Sequence, residues 1–162
     1  MRNMIYFSSL FAQANSDHIE YNGKIVNAYN KFDLKGRHRI KVKFLSTNSK
    51  YVQAIVLSLV NFRGNVYLNG ERIMIKKTAF PKINFWQDTA PKEFEIEIDL
   101  SEGSIGIFNG ADPIGDKRFC KFGSDGCAMI IEDLGKKKIY HCNDFENDDD
   151  FDDLVFEMEV LN

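Results

Sequence analysis

Apolar and polar residues alternate with period two along several stretches of this chain. In His38-Arg39-Ile40-Lys41-Val42-Lys43-Phe44, the apolar Ile40, Val42 and Phe44 share one face, and Arg39, Lys41 and Lys43 share the other. Glu93-Phe94-Glu95-Ile96-Glu97-Ile98 repeats the pattern with acidic residues outward, and Leu154–Val160 places Leu154, Phe156, Met158 and Val160 on one side. Successive side chains of a strand point to opposite faces, so these segments are predicted to be half-buried strands. The run Tyr51–Phe62 is longer and largely apolar, containing Val52, Ile55, Val56 and Val60. Its β-branched content favours a buried strand over a helix.

Turn chemistry separates these runs. Asn69-Gly70 joins Gly64–Leu68 to Glu71–Ile75, and this dipeptide supplies the two positive-φ positions of a type I′ hairpin turn. Gly103–Phe108 reads as a further strand ending at Asn109-Gly110. Helix signals are sparse, with one short helix expected near residues 4–14. Many short strands with turns between them predict an all-β fold, a β-sandwich of jelly-roll type. The basic row Arg39/Lys41/Lys43 and the acidic row Glu93/Glu95/Glu97 are expected to lie side by side, where opposite-charge pairs contribute roughly 0.2–1 kcal/mol each. A plain solvated face, or a cradle for phosphate or an acidic glycan, is the other use of the basic row.

With 162 residues and no low-complexity linker, one domain is expected. The 14 Phe suit broad packed sheets. The net charge of −3 divides unevenly: residues 144–162 carry nine acids and no Lys or Arg, leaving +6 on residues 1–143. This balance argues for cation binding or internal pairing rather than nucleic acid, whose partners present a net basic domain. No stretch is apolar for long enough to form a transmembrane helix. Residues 1–16 faintly resemble a signal peptide, although two serines interrupt the apolar run.

The acidic segment lies between Asn143 and Leu154, and seven of the ten residues from Asp144 to Asp153 are acidic. Clustered carboxylates repel unless solvent, basic groups or a metal offsets them. Calcium takes six to eight oxygen ligands in flexible geometry and suits such a cluster better than magnesium. The segment is not an EF-hand loop. Counting from Asp144, Asp149 stands where the sharp turn needs Gly, and Val155 stands where a bidentate Glu belongs.

Asp148-Asp149-Asp150-Phe151-Asp152-Asp153-Leu154-Val155-Phe156, with the earlier Glu132-Asp133-Leu134 and Asn109–Pro113, resembles the DUF4114 and LruC-type C-terminal domains of bacterial surface or secreted proteins. The likeness spans roughly residues 105–160. It departs from that pattern at Glu146-Asn147, where glycines are usual, and at Asp152, where Asn is usual. The resemblance implies a calcium loop using Asp148, Asp150, Asp152 and Asp153, with Glu132 and Asp133 approaching from a preceding strand end. It also implies Phe151 as a buried anchor, Leu154 and Phe156 as seats of the last strand, and a secreted or surface location. A solvated acidic turn bridged to Lys136, Lys137 and Lys138 is the competing reading.

Other chemistry is thinner. Cys120, Cys127 and Cys142 allow one disulfide with one thiol, or three thiols. Together with His141 they contain zinc-type ligands, but six residues separate Cys120 from Cys127, and His141 and Cys142 point oppositely in a strand. Cys142, His141 and Asp144 have no convergent arrangement for nucleophilic catalysis. Nothing selects a carboxylate pair for glycoside hydrolysis, and no phosphate-cradling glycine loop is present. Trp86, flanked by Asn84, Gln87 and Asp88, is a candidate for stacking on a sugar ring, with packing as the alternative. The expectation is a non-catalytic, calcium-binding module for carbohydrate or protein. The alternative is a metal-free interaction module that uses its acidic loop.

Overall fold

A computed structural model describes residues 4–75, 81–123 and 125–161. One helix, α1 (Phe7–Ala14), precedes eleven strands: β1 (His18–Tyr21), β2 (Lys24–Asn27), β3 (Asn30–Phe32), β4 (Gly36–Thr47), β5 (Gln53–Leu68), β6 (Glu71–Arg72), β7 (Lys82–Trp86), β8 (Glu93–Ala111), β9 (Ala128–Asp133), β10 (Lys137–Asn143) and β11 (Leu154–Val160). The strands hydrogen-bond in the order β1-β2-β9-β10-β11-β4-β8-β5-β6, with β3 also on β8 and β7 also on β5. All the pairings are antiparallel. The expected all-β, sandwich-like fold is present.

Two long strands turn this one sheet into two leaves. The first half of β8 pairs with β4 and with the end of β5, and its second half pairs with β3 and with the start of β5. The separate strands expected at Glu93–Ile98 and Gly103–Phe108 are therefore one continuous strand. Gly103 marks a bend in it rather than a chain reversal. Opposite, β5 shifts register between Val60 and Gly64. Both glycines are required here. A Cβ on Gly64 would lie 2.0 Å from the Asp99 carbonyl oxygen, and one on Gly103 would lie 2.5 Å from the Phe62 Cα. Both also have positive φ.

The leaves enclose one apolar core. Ile40, Val42 and Phe44 of β4, Phe94, Ile96 and Ile98 of β8, and Leu154, Phe156 and Met158 of β11 meet Ile55, Leu57, Leu59, Ile105 and Ile107. Tyr140 stacks on Phe156 with ring centroids 4.5 Å apart, and its hydroxyl accepts an amide hydrogen bond from Asn30 (2.8 Å). The start of β5 is buried on both faces, Ala54 and Val56 included. Loop residues cover its outer side, where Phe122 packs on Phe108 of neighbouring β8 at 5.2 Å. Double-sided burial is why Tyr51–Phe62 lacks alternation.

The two charged rows are adjacent, as their alternation predicts. Arg39 faces Glu97, Lys41 faces Glu95 and Lys43 faces Glu93 across β4 and β8. Ion pairs run diagonally: Arg37 to Glu97 (2.5 Å), Arg39 to Glu95 (2.6 Å) and Lys41 to Glu93 (2.5 Å). Hydrogen bonding to Arg39 holds the Glu95 carboxyl below its ordinary range. From the other side, β11 places Glu157 opposite Lys43 and Glu159 opposite Lys41. The basic row is thus matched by glutamates on both flanks.

At the hairpin, Asn69 (φ 47°) and Gly70 (φ 86°) adopt the positive-φ pair of a type I′ turn. The strand beyond is shorter than expected, ending at Arg72, although the Ile73 N–H still donates to Val66 O (2.8 Å). α1 stops at Asn15, whose left-handed conformation closes the helix. The helix and the β1–β2 hairpin form a second, smaller apolar cluster with Phe7, Phe11, Val26, Ala128 and Phe151.

Candidate metal centre

The acidic segment connects two neighbouring strands, since Cys142 of β10 lies opposite Leu154 of β11. A connection this rich in carboxylates needs fixed points, and buried side chains supply them. Asn143 is fully buried. Its amide nitrogen donates to Asp148 O (2.5 Å) and Gly126 O (3.1 Å), and its side-chain oxygen accepts the Phe151 N–H (3.2 Å). Asp144, also fully buried, accepts the Ser49 hydroxyl (2.7 Å), the Gln53 amide (3.2 Å) and the Glu146 N–H (3.0 Å). Asp152 accepts the Asn48 amide (2.8 Å). These contacts cinch the loop of residues 48–51, which follows β4, and the start of β5 against the acidic connection. Phe151 has a positive φ of 52°, a strained conformation for a bulky residue. Its ring is buried, 5.4 Å from that of Phe7.

This scaffold brings Asp148, Asp150 and Asp153 together, one carboxylate oxygen of each lying within 4.8 Å of the others. Two oxygens on opposite sides of a calcium ion, each at about 2.3–2.6 Å, are about 4.6–5.2 Å apart. The spacing therefore fits a single ion with little movement. The three residues line a cleft of about 580 Å³ together with Thr47–Tyr51 and Glu146. Asp150 is exposed, whereas Asp153 is 5% exposed and accepts the Asp144 N–H (2.9 Å). Burial pushes the Asp153 carboxyl up to about 8, and repulsion from Asp144, Asp150 and Asp148 adds to this against the Asp144 N–H. Such a group is costly to ionise without a compensating cation.

The other residues proposed from the sequence lie elsewhere or at the margin. Asp152 turns toward Asn48. Glu132 sits 3.3 Å from His141, in a neighbouring cavity of about 340 Å³ that Asp150 and Phe151 also line. Asp133 accepts the Gly135 N–H (2.9 Å) and lies 3.9 Å from Lys138, so it shapes the β9–β10 turn. Trp86 is half-buried at the end of β7, opposite Ala54. Cys120, Cys127 and Cys142 are free thiols, and burial raises the Cys142 thiol well above its ordinary value. Asp144, bonded to Ser49 and Gln53, does not join His141 and Cys142 in a convergent group. Among the described residues, the aspartate trio is the one group of three metal-ligating side chains found this close together. Asn143 and the Ser49–Asp144 contact carried no signal in sequence, because an asparagine or serine near an acidic run reads as a solvated spacer.

No protein-family model matches this chain, and neither a curated protein nor a solved structure matches it significantly, so the centre is read from its own residues.

Proposed function

We propose that this protein is a non-catalytic, calcium-binding β-sandwich module. The ion is held by Asp148, Asp150 and Asp153 and fastens the connection between β10 and β11. The observation that carries the reading is the buried Asp153 carboxyl, packed with two further carboxylates at ligand spacing. Oxygen-only donors on an irregular loop favour calcium over magnesium, which requires near-octahedral geometry, and over zinc, which is drawn to nitrogen and sulfur. The cleft also presents Thr47, Asn48, Ser49 and Tyr51. This hydroxyl- and amide-rich lining suits a polar ligand, carbohydrate or a protein loop, placed beside the ion.

Thermal unfolding in EDTA and then in about 1 mM calcium, with magnesium as the control, tests the proposal. A dissociation constant of about 10 μM raises stability by roughly 2.7 kcal/mol. For a chain of this size that is a midpoint shift of roughly 5–11 °C. An equal midpoint with and without calcium would refute the metal centre and leave the carboxylates as an acidic surface for a basic partner.

A further inference from the structure

We propose that the acidic loop controls docking of the N-terminal helix, so that α1 is a strap that closes when the loop is ordered. The helix has eight residues and no side-chain N-cap. A helix this short does not persist in water without packing. Its packing comes from Phe7 and Phe11, which are buried in the second cluster rather than in the main core.

Part of what holds α1 leads to the acidic loop, and the rest of its seat is Val26 of β2 and Ala128 of β9. Phe151 packs against Phe7, and Tyr21 meets Phe7 edge-on at 5.1 Å while donating its hydroxyl to Asp149 (3.2 Å). Just before the helix, the Ile5 N–H donates to Asn147 O (3.2 Å). The Ser8 N–H, bonded to Asp125 O (3.0 Å), ties the first turn to the segment before β9. Phe151 itself is held in its left-handed conformation by the Asn143 side chain and lies between Asp150 and Asp152. A strained conformation of this kind persists only while its surroundings enforce it. When the loop opens, Phe151 withdraws, the seat of Phe7 loses one wall and the short helix is released. Ordering of the same loop by calcium closes the strap; that half of the inference rests on the function proposed above. The exposed surface would be the apolar seat at Val26 and Ala128 with the freed Phe7 and Phe11.

Amide hydrogen exchange over α1, with Ile55–Leu59 of β5 as internal reference, tests this in wild type and in Phe151→Ala, each in EDTA and in calcium. In Phe151→Ala, α1 is expected to exchange at least about tenfold faster than in wild type while β5 is unchanged, because the helix opens as its own unit. In wild type, calcium is expected to slow α1 and leave β5 unaffected. Equal α1 protection in the two proteins, or α1 opening only together with β5, would overturn the proposal. Calorimetry on the same samples separates the two ideas. Absence of calcium heat removes the metal reading, and the Phe151→Ala comparison in EDTA still decides whether the loop governs the helix. Heat with unchanged α1 exchange overturns the strap alone. Should Phe151→Ala not fold, Phe7→Ala replaces it. Linkage is reciprocal, so that variant should bind calcium at least about threefold more weakly; unchanged affinity would overturn the proposal.

Discussion

Asp153→Asn should stabilise the metal-free protein and yet abolish its response to calcium. The side chain is 5% exposed and its carboxyl is pushed up to about 8, by burial first and then by repulsion from neighbouring aspartates. The ordinary value of 3.8 applies to the unfolded chain. A folded value above the unfolded one means that folding favours the protonated acid. The corresponding stability is complete below about pH 4 and is lost as pH rises toward about 8. At pH 7 the unfolded group is about three pH units above its pKa, so keeping the acid folded costs on the order of 4 kcal/mol, at about 1.36 kcal/mol per unit. Asparagine has nearly the same shape, carries no charge to neutralise, and retains an oxygen for the Asp144 N–H. Partial exposure of the neighbouring acids lowers the benefit, and a gain of about 2 kcal/mol, or roughly 4–8 °C in midpoint, is the working expectation. The assay is thermal unfolding in EDTA at pH 5 and pH 8. The advantage of the variant should grow with pH, and calcium should reverse the ranking by stabilising only wild type. A variant less stable than wild type in EDTA at pH 8 would refute the reasoning.

Three further outcomes follow from the packing. Asn143→Ala strips partners from two carbonyls and an N–H and should cost about 3 kcal/mol or more by chemical denaturation. Gly64→Ala drives a Cβ into the Asp99 carbonyl and should destabilise by at least about 2 kcal/mol, whereas Gly135→Ala, with open space around its Cβ, should lose only the cost of its positive φ, about 1 kcal/mol. Burial raises the Cys120 thiol to about 11, so iodoacetamide at pH 8 should label it in the native protein about a hundredfold more slowly than an ordinary thiol, because the thiolate reacts. Mass spectrometry of native against unfolded protein reads that difference directly.

The half-exposed strands were legible because one face of each is solvated: Ile40/Val42/Phe44 and Phe94/Ile96/Ile98 announce their inward side, and the charges between them announce their neighbours. The hairpin at Asn69-Gly70 was equally plain, since few residue pairs tolerate two positive φ angles. Continuity of β8 through Gly103 was not legible, because a glycine in a strand signals a bulge or a turn alike and only the opposing bend in β5 decides. Phe151 stood out as an apolar residue among acids, and Asp148, Asp150 and Asp153 were among the residues proposed for the loop. Their separation from Asp152 depends on where Asn143 and Asn48 fasten the loop, while Glu132 and Asp133 stay on β9. Those contacts, local at Asn143 and long-range at Asn48, leave no periodic trace.

The most direct measurement is calorimetric titration of EDTA-stripped protein with calcium, run beside Asp150→Asn, the variant that removes an exposed ligand and leaves the core untouched. One ion per chain bound by wild type, with affinity reduced at least about tenfold in the variant, is the predicted result. That loss corresponds to about 1.4 kcal/mol of binding free energy. No binding at millimolar calcium, or equal binding by both proteins, would contradict a metal centre built on Asp148, Asp150 and Asp153.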